Sequence, residues 1–179
     1  MGTMRSLSKS RIISFRQCPK RLWLEIHHPE LAVYSAAAQK AFSIGHQVGD
    51  IARNLYDPNL TGTLLDAQTE GYDEVFARTR ALLDADNPTP IFEAGFCAGG
   101  ALAFADIMLP TANPDKPWRM IEVKSAASVK DYYLDDTAIQ TWVAAQGGVH
   151  FLLMMFLHNS SSCPLRDHIN VNIAQRLRP

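Results

Sequence analysis

The spacing of hydrophobic positions changes along the chain, and the changes divide it into segments. Near the start, Ile12, Phe15 and Leu22 fall on one side of a short helix that Ser8 or Ser10 caps. Pro19 restarts that helix after Cys18, because proline is tolerated in a first turn and disruptive later. From about Ala37 to Tyr56 the period is again helical: Ile44, Val48, Ile51, Ala52 and Leu55 form an apolar face, and His46, Asp50 and Arg53 share another. Asp57-Pro58-Asn59 ends this segment, and Asp73 to Leu83 reads as a further helix. Beyond the Asn87-Pro88-Thr89-Pro90 breaker the chain turns to strand-like runs, Ile91 to Cys97 and Ala101 to Leu109, joined through Ala98-Gly99-Gly100 as a hairpin. A Pro-rich loop leads to a third strand, Trp118 to Lys124; Leu134 to Ala145 reads as a helix, and Val149 to Leu157 as a buried strand.

The order helices–βββ–α–β predicts an α/β (α+β) fold, a central mixed sheet flanked by helices. At 179 residues, one domain is expected. It divides into a segment 1–158, with a basic helical stretch 1–56 and a core 72–158, and a polar tail 159–179 of no evident role.

Composition narrows the function classes. With 47% hydrophobic and 20% charged residues the chain is globular rather than disordered. A net charge of −1 excludes a globally basic nucleic-acid coat, though not a local basic patch. The three cysteines, Cys18, Cys97 and Cys163, form no C-x-x-C pair, so a disulfide scaffold or a four-thiolate site within one chain is not expected. No apolar run approaches the ~20 residues of a membrane-spanning helix and no secretory h-region opens the chain. No membrane association is expected, and the expected location is a reducing cytoplasm.

Candidate chemistry lies in the strands. Asp106 is expected near the end of the second hairpin strand. Glu122 and Lys124, two apart in the third, leave the sheet on one face while Ile121 and Val123 point to the other. Two carboxylates hold a hard divalent cation through oxygen, and a neighbouring ammonium neutralises charge growing on a phosphorane. The competing explanation is a solvated same-face ion pair; burying such charges without partners would cost several kcal/mol.

Asp106 followed by Glu122-Val123-Lys124, within this element order, resembles the PD-(D/E)XK nuclease superfamily, and more narrowly its RecB-like, CRISPR-associated exonuclease-like branch. Further segments are similar to that branch: Leu7-Ser8-Lys9-Ser10 with Phe15-Arg16-Gln17-Cys18-Pro19, Gly45-His46-Gln47-Val48-Gly49, and Val129-Lys130-Asp131-Tyr132-Tyr133 with Asp136 and Gln140. The resemblance spans about Leu7 to Leu157. It implies a restriction-endonuclease-like core and DNA hydrolysis with Mg²⁺ or Mn²⁺. It implies Asp106 and Glu122 as metal ligands completed by the Val123 carbonyl, Lys124 as the catalytic lysine, His46 as a further ligand and Glu93 as a carboxylate that faces the metal or stands behind its ligands. Three departures stand out. Ala105 precedes Asp106 in place of proline. Asp136 and Gln140 stand where the family's Gln and Tyr would be. Cys163 alone lies in the C-terminal region, so no iron–sulfur cluster is expected.

The basic start of the chain has two readings. Arg11, Arg16, Lys20 and Arg21 contact substrate phosphates, with Trp23 as a stacking surface, or they form a solvated face. Tyr132 and Gln140 are the remaining candidates for substrate contact, although Tyr132 and Trp142 also suit the core. The expectation is a metal-dependent deoxyribonuclease acting at DNA ends or on single strands. The alternative is a non-catalytic nucleic-acid-binding or assembly module of a larger DNA-processing machine.

Overall fold

The computed structural model describes residues 6–33, 35–115, 117–125, 131–160 and 163–168. Arg5, the Val129-Lys130 pair and tail residues 169–179 lie outside these, as do the side chains of residues 151–157, where the pattern predicts a buried strand.

A two-residue strand β1 (Leu7–Ser8) leads into α1 (Lys9–Gln17) and α2 (Pro19–His27). Ser8 is the cap of α1: its Oγ accepts from the Arg11 N–H at 3.3 Å. Cys18, extended at φ −165°, separates the two helices, and Pro19 opens the second where its missing N–H costs nothing. A single 3₁₀ turn, Pro29–Leu31, precedes α3 (Ala36–Tyr56). After α3, the Asp57 carboxylate accepts from the Thr61 and Gly62 amides and the Thr61 hydroxyl, folding the chain back into the short β2 (Thr63–Leu64). Then come α4 (Tyr72–Leu83), the hairpin β3 (Ile91–Ala98) and β4 (Ala101–Pro110), β5 (Trp118–Lys124), α5 (Asp131–Gln146), β6 (Phe151–Ser160) and β7 (Cys163–His168). Gly99 and Gly100, with φ of 59° and 77°, make the tight hairpin turn that side-chain-bearing residues resist.

The strands form one mixed sheet in the order β2-β3-β4-β5-β6-β7, with β1 parallel to β4 off this path. One apolar cluster joins Val75 of α4 and Val143 and Ala144 of α5 to Ile91, Ala94, Phe96, Met108, Trp118 and Met120. A smaller one joins Ala52 of α3 to Phe92, Ile107, Leu109 and Ile121. The sheet therefore lies between α4 and α5 on one side and α3 on the other, the expected α/β class.

Four expectations change. Within the stretch expected as a polar tail, residues 163–168 are a strand: β6 continues to Ser160 and β7 pairs antiparallel with it, Leu157 opposite Asp167. Antiparallel backbone pairing is open to polar as well as apolar residues. Asp106 is in the middle of β4 rather than near its end. Trp142 and Tyr132 are 38% and 47% exposed, so neither is a core residue. On α3, Ile44, Ile51 and Leu55 are exposed, and only Ala52 of the expected apolar face is fully buried. The helix instead turns Gly45, His46, Gly49, Asp50 and Arg53 over a cavity beside the sheet.

Candidate active site

Among the described side chains, alternation breaks where β3 pairs with β4, and the site is built at the break. On β5 the alternation is regular: Trp118 and Met120 join the cluster under α4 and α5, and Ile121 the one under α3. On β3, however, Ile91 and Ala94 share a cluster although three residues apart; on β4, Ala105 and Met108 do the same. The discontinuity on β3 is Glu93, a non-glycine residue with φ 57°, in the left-handed region that costs an L-residue ~1–2 kcal/mol. Register is preserved across it, because Phe92 pairs with Ile107 and Ala94 with Ala105, which sets Glu93 across from Asp106. Both strands thus change face together. The β4–β5 pairing runs no further than Ile107 opposite Ile121, and there the Asp106 carboxylate accepts from the Val123 N–H at 2.6 Å.

A cavity of about 370 Å³ opens at this point, walled by Glu93, Asp106, Ile107 and Val123 from the sheet and by Gly45, His46, Gly49, Asp50 and Arg53 from α3. Arg53 pairs with Asp50 on the same helix face. Crowded carboxylates dominate the electrostatics. Burial, with the charges of Glu122 and Glu93, pushes Asp106 well above the usual carboxylate range, and Lys9 and the Val123 amide offset this only in part. Burial likewise raises Glu93, reinforced by Glu122 and opposed by Arg53, Lys9 and His46.

Glu122 and Lys124 leave β5 on the side where α1 and α5 pack, and there they meet a network. Glu122 is 2% exposed. Its Oε1 accepts from Lys124 Nζ at 2.6 Å and from Lys9 Nζ at 3.3 Å; its Oε2 is buried with no hydrogen-bond partner among the described residues. Asp136 of α5 pairs through Oδ1 with Lys9 at 3.2 Å and through Oδ2 with Lys124. Gln140, one turn further along α5, accepts from Lys9 at 3.0 Å. Burial works against the charge of both lysines, but Glu122 and Asp136 outweigh it, so both stay protonated above the ordinary lysine value. Asp136 is driven up by burial and more strongly down by Lys9 and Lys124, ending below its ordinary value. Beside them, burial and Tyr132 push the Tyr133 hydroxyl up to about 12, and its ring lies 5.3 Å from Lys124 Nζ.

The expected site residues thus fall into three groups. Asp106, Glu93, His46 and Val123 gather around one cavity; Glu122 and Lys124 do not line it and leave β5 on the other face, beside Lys9 and Asp136. Arg11, Arg16, Lys20, Arg21 and Tyr132 are exposed and line no part of that cavity. Arg16 pairs with Asp135 at 3.1 Å and Arg21 with Glu25 at 2.7 Å, exposed contacts worth ~0.2–1 kcal/mol each. Gln140 is fully buried, and its Oε1 accepts from Lys9.

Two residues of the network are not singled out by the sequence pattern. Asp136 stands out there only as a departure from the family motif. Lys9 reads as one surface charge among several, yet it carries a signal: a cation at the first position of a helix opposes the macrodipole by ~0.3–1 kcal/mol and needs compensation elsewhere.

Asp106, Glu93 and Glu122 offer hard oxygen donors and His46 a nitrogen, a set suited to a divalent cation, and the unpartnered Glu122 Oε2 is an acceptor that such an ion would satisfy. As the side chains stand, no three His, Cys, Asp or Glu among the described residues are close enough together to hold a metal. No described helix is long and apolar enough to cross a membrane.

What the fold and site define is an α/β protein whose central strands bring carboxylates and ammoniums together beside a cavity. No protein-family model matches the chain, and no curated protein sequence does. Among solved structures it is similar to the crystal structure of SSO0001, with 14% identity and a TM-score of 0.49 over 98% of this chain and 73% of that one.

Proposed function

We propose that this protein is a metal-dependent deoxyribonuclease of the RecB-like type, hydrolysing phosphodiester bonds at DNA ends or in single strands. The observation that carries the reading is the junction of β4 and β5: Asp106 bonded to the Val123 amide, next along β5 to the buried Glu122, which has one oxygen unpartnered and the other bonded to Lys124. Mg²⁺ or Mn²⁺ would be held there by Asp106 and Glu122, with the Val123 carbonyl, His46 and Glu93 as the remaining donors. When bound, such a cation supplies polarisation of the phosphate and a lowered pKa for an adjacent water.

The chain's own residues do the rest. Lys124, kept protonated by Glu122 and Asp136, acts as a fixed positive charge toward the phosphorane rather than as a base. Burial and the neighbouring carboxylates raise Asp106, and a cation held there would oppose that rise. Arg53, on the cavity wall contributed by α3, offers a planar donor to phosphate oxygens on the far side.

A calorimetric Mn²⁺ titration beside a single-stranded DNA cleavage assay tests this. Asp106→Ala is expected to remove both metal binding and cleavage. Lys124→Ala should bind Mn²⁺ at least as well as wild type, because a nearby positive charge has gone, yet cleave about 10²–10³ more slowly. If the wild type neither binds Mn²⁺ nor cuts, a non-catalytic nucleic-acid-binding or assembly role replaces the enzyme reading. If Lys124→Ala cuts normally, Glu122 and Lys124 are only an ion pair.

A further inference from the structure

The three hydrogens of a lysine ammonium are directional donors, and their destinations decide whether the group can also hold a substrate. Lys9 donates to Glu122 Oε1 at 3.3 Å and Gln140 Oε1 at 3.0 Å, and its third neighbour is Asp136 Oδ1, an ion-pair contact at 3.2 Å. Lys124 has two among the described residues, Glu122 Oε1 and Asp136 Oδ2, and so keeps one donor for an incoming phosphate. The two cations share the same two carboxylates but divide the oxygens of Asp136 between them.

Lys9 is also anchored as a reference point. Leu7 and Ser8 pair in parallel with Ala101 and Leu102 of β4, the Leu7 N–H donates to the Gly100 carbonyl at 2.9 Å, and Ser8 caps the helix that Lys9 begins. Its backbone is therefore tied to the strand that carries Asp106, while its ammonium reaches β5 and α5.

We propose that Lys9 is a positioning residue for the lysine of the site: by occupying Asp136 Oδ1, Gln140 and some of the capacity of Glu122, it leaves Lys124 with a donor free for substrate. Without Lys9, Asp136 and Glu122 retain Lys124 as their one cation among the described residues, and its third donor is drawn into them and away from the phosphate. This inference rests on the nuclease reading for its consequence in catalysis, but its geometric content stands apart from it.

The experiment compares wild type, Lys9→Met and Lys9→Arg in single-turnover cleavage of single-stranded DNA with Mn²⁺, alongside Mn²⁺ titration and crystal structures of the two variants. Lys9→Met should lower the rate at saturating DNA about tenfold to a hundredfold, the cost of a small misplacement. Its half-saturating DNA concentration should stay within about twofold of wild type, a change of at most ~0.4 kcal/mol in binding, and Mn²⁺ should bind no more weakly. Lys9→Arg, which keeps the charge, should recover some of the rate. An unchanged rate, a loss confined to DNA affinity, or equal losses in Met and Arg variants with equal drops in melting temperature would overturn the proposal. If the wild type cuts no DNA, the nuclease reading fails and the crystal structure of Lys9→Met decides: a Lys124 ammonium shifted toward Asp136 Oδ1 or Gln140 supports the proposal, and one that has not moved overturns it. Should Lys9→Met fail to fold, Lys9→Gln, which also removes the charge, carries the same structural comparison, with a displaced Lys124 supporting and an unmoved one overturning.

Discussion

Replacing Glu93 by glycine and by alanine separates two effects that coincide at one residue. Its φ of 57° is a backbone conformation that alanine resists and glycine adopts freely. At an ordinary strand position alanine is the more stable by ~0.5–1 kcal/mol, because glycine loses more freedom on folding. At Glu93 the left-handed penalty of ~1–2 kcal/mol acts the other way and exceeds that entropy. The expected order is therefore inverted, with Glu93→Gly more stable than Glu93→Ala by ~1 kcal/mol, or about 2–4 °C in Tm for a chain of this size. Both variants lose the carboxylate, so whatever relief follows from removing a charge that burial and Glu122 disfavour is common to both. The difference between them isolates the backbone. Urea unfolding at neutral pH measures it, with linear extrapolation of each curve. An alanine variant as stable as the glycine variant, or more so, would refute the claim that strain is held at the break in β3. If both variants also lose Mn²⁺ affinity, the strained backbone is linked to the job of turning a carboxylate into the cavity.

Two other substitutions probe the surroundings. Asp106 has its folded pKa well above its ordinary value, so its charged form burdens the native state at neutral pH, while below the ordinary value of ~3.9 it is protonated in both states. Asp106→Asn should accordingly raise stability at neutral pH without metal, and the gain should vanish as pH falls to about 4 and below; a pH-independent gain in urea titrations would refute the assignment. Gly95 has no room for a side chain, since a Cβ there would lie 2.9 Å from Val75, Phe76 and Phe104 atoms, so Gly95→Ala should cost ~1–3 kcal/mol in guanidinium unfolding, and no cost would show the aromatic cluster to be adjustable.

Much of this molecule is legible in short stretches of sequence, because the forces concerned are local. The hydroxyl of Ser8, the ring of Pro19 and the glycines at 99 and 100 act within a few residues and set the helix start, the restart and the hairpin turn. Alternation along Trp118–Lys124 separates Glu122 and Lys124 from Ile121 because neighbouring side chains on a strand must take opposite faces.

The tertiary structure decided what periodicity does not encode. A helical period says that α3 has two faces, not which one meets the sheet; here the polar face overhangs the carboxylate cavity while Ile44, Ile51 and Leu55 remain exposed. The faces on β3 and β4 reverse at Glu93 and Asp106 because two paired strands change together, which neither strand reveals alone. Strand β7 pairs antiparallel with β6 through its backbone, an interaction nearly blind to side-chain pattern. Lys9 and Glu122 are far apart in sequence, and only the docking of β1 on β4 and of α1 and α5 beside β5 turns a surface-like lysine into the partner of a buried carboxylate. The sequence determined which groups were available and which local faces they share; the packing of distant segments determined which charges must answer one another, since that depends on distances the chain acquires only on folding.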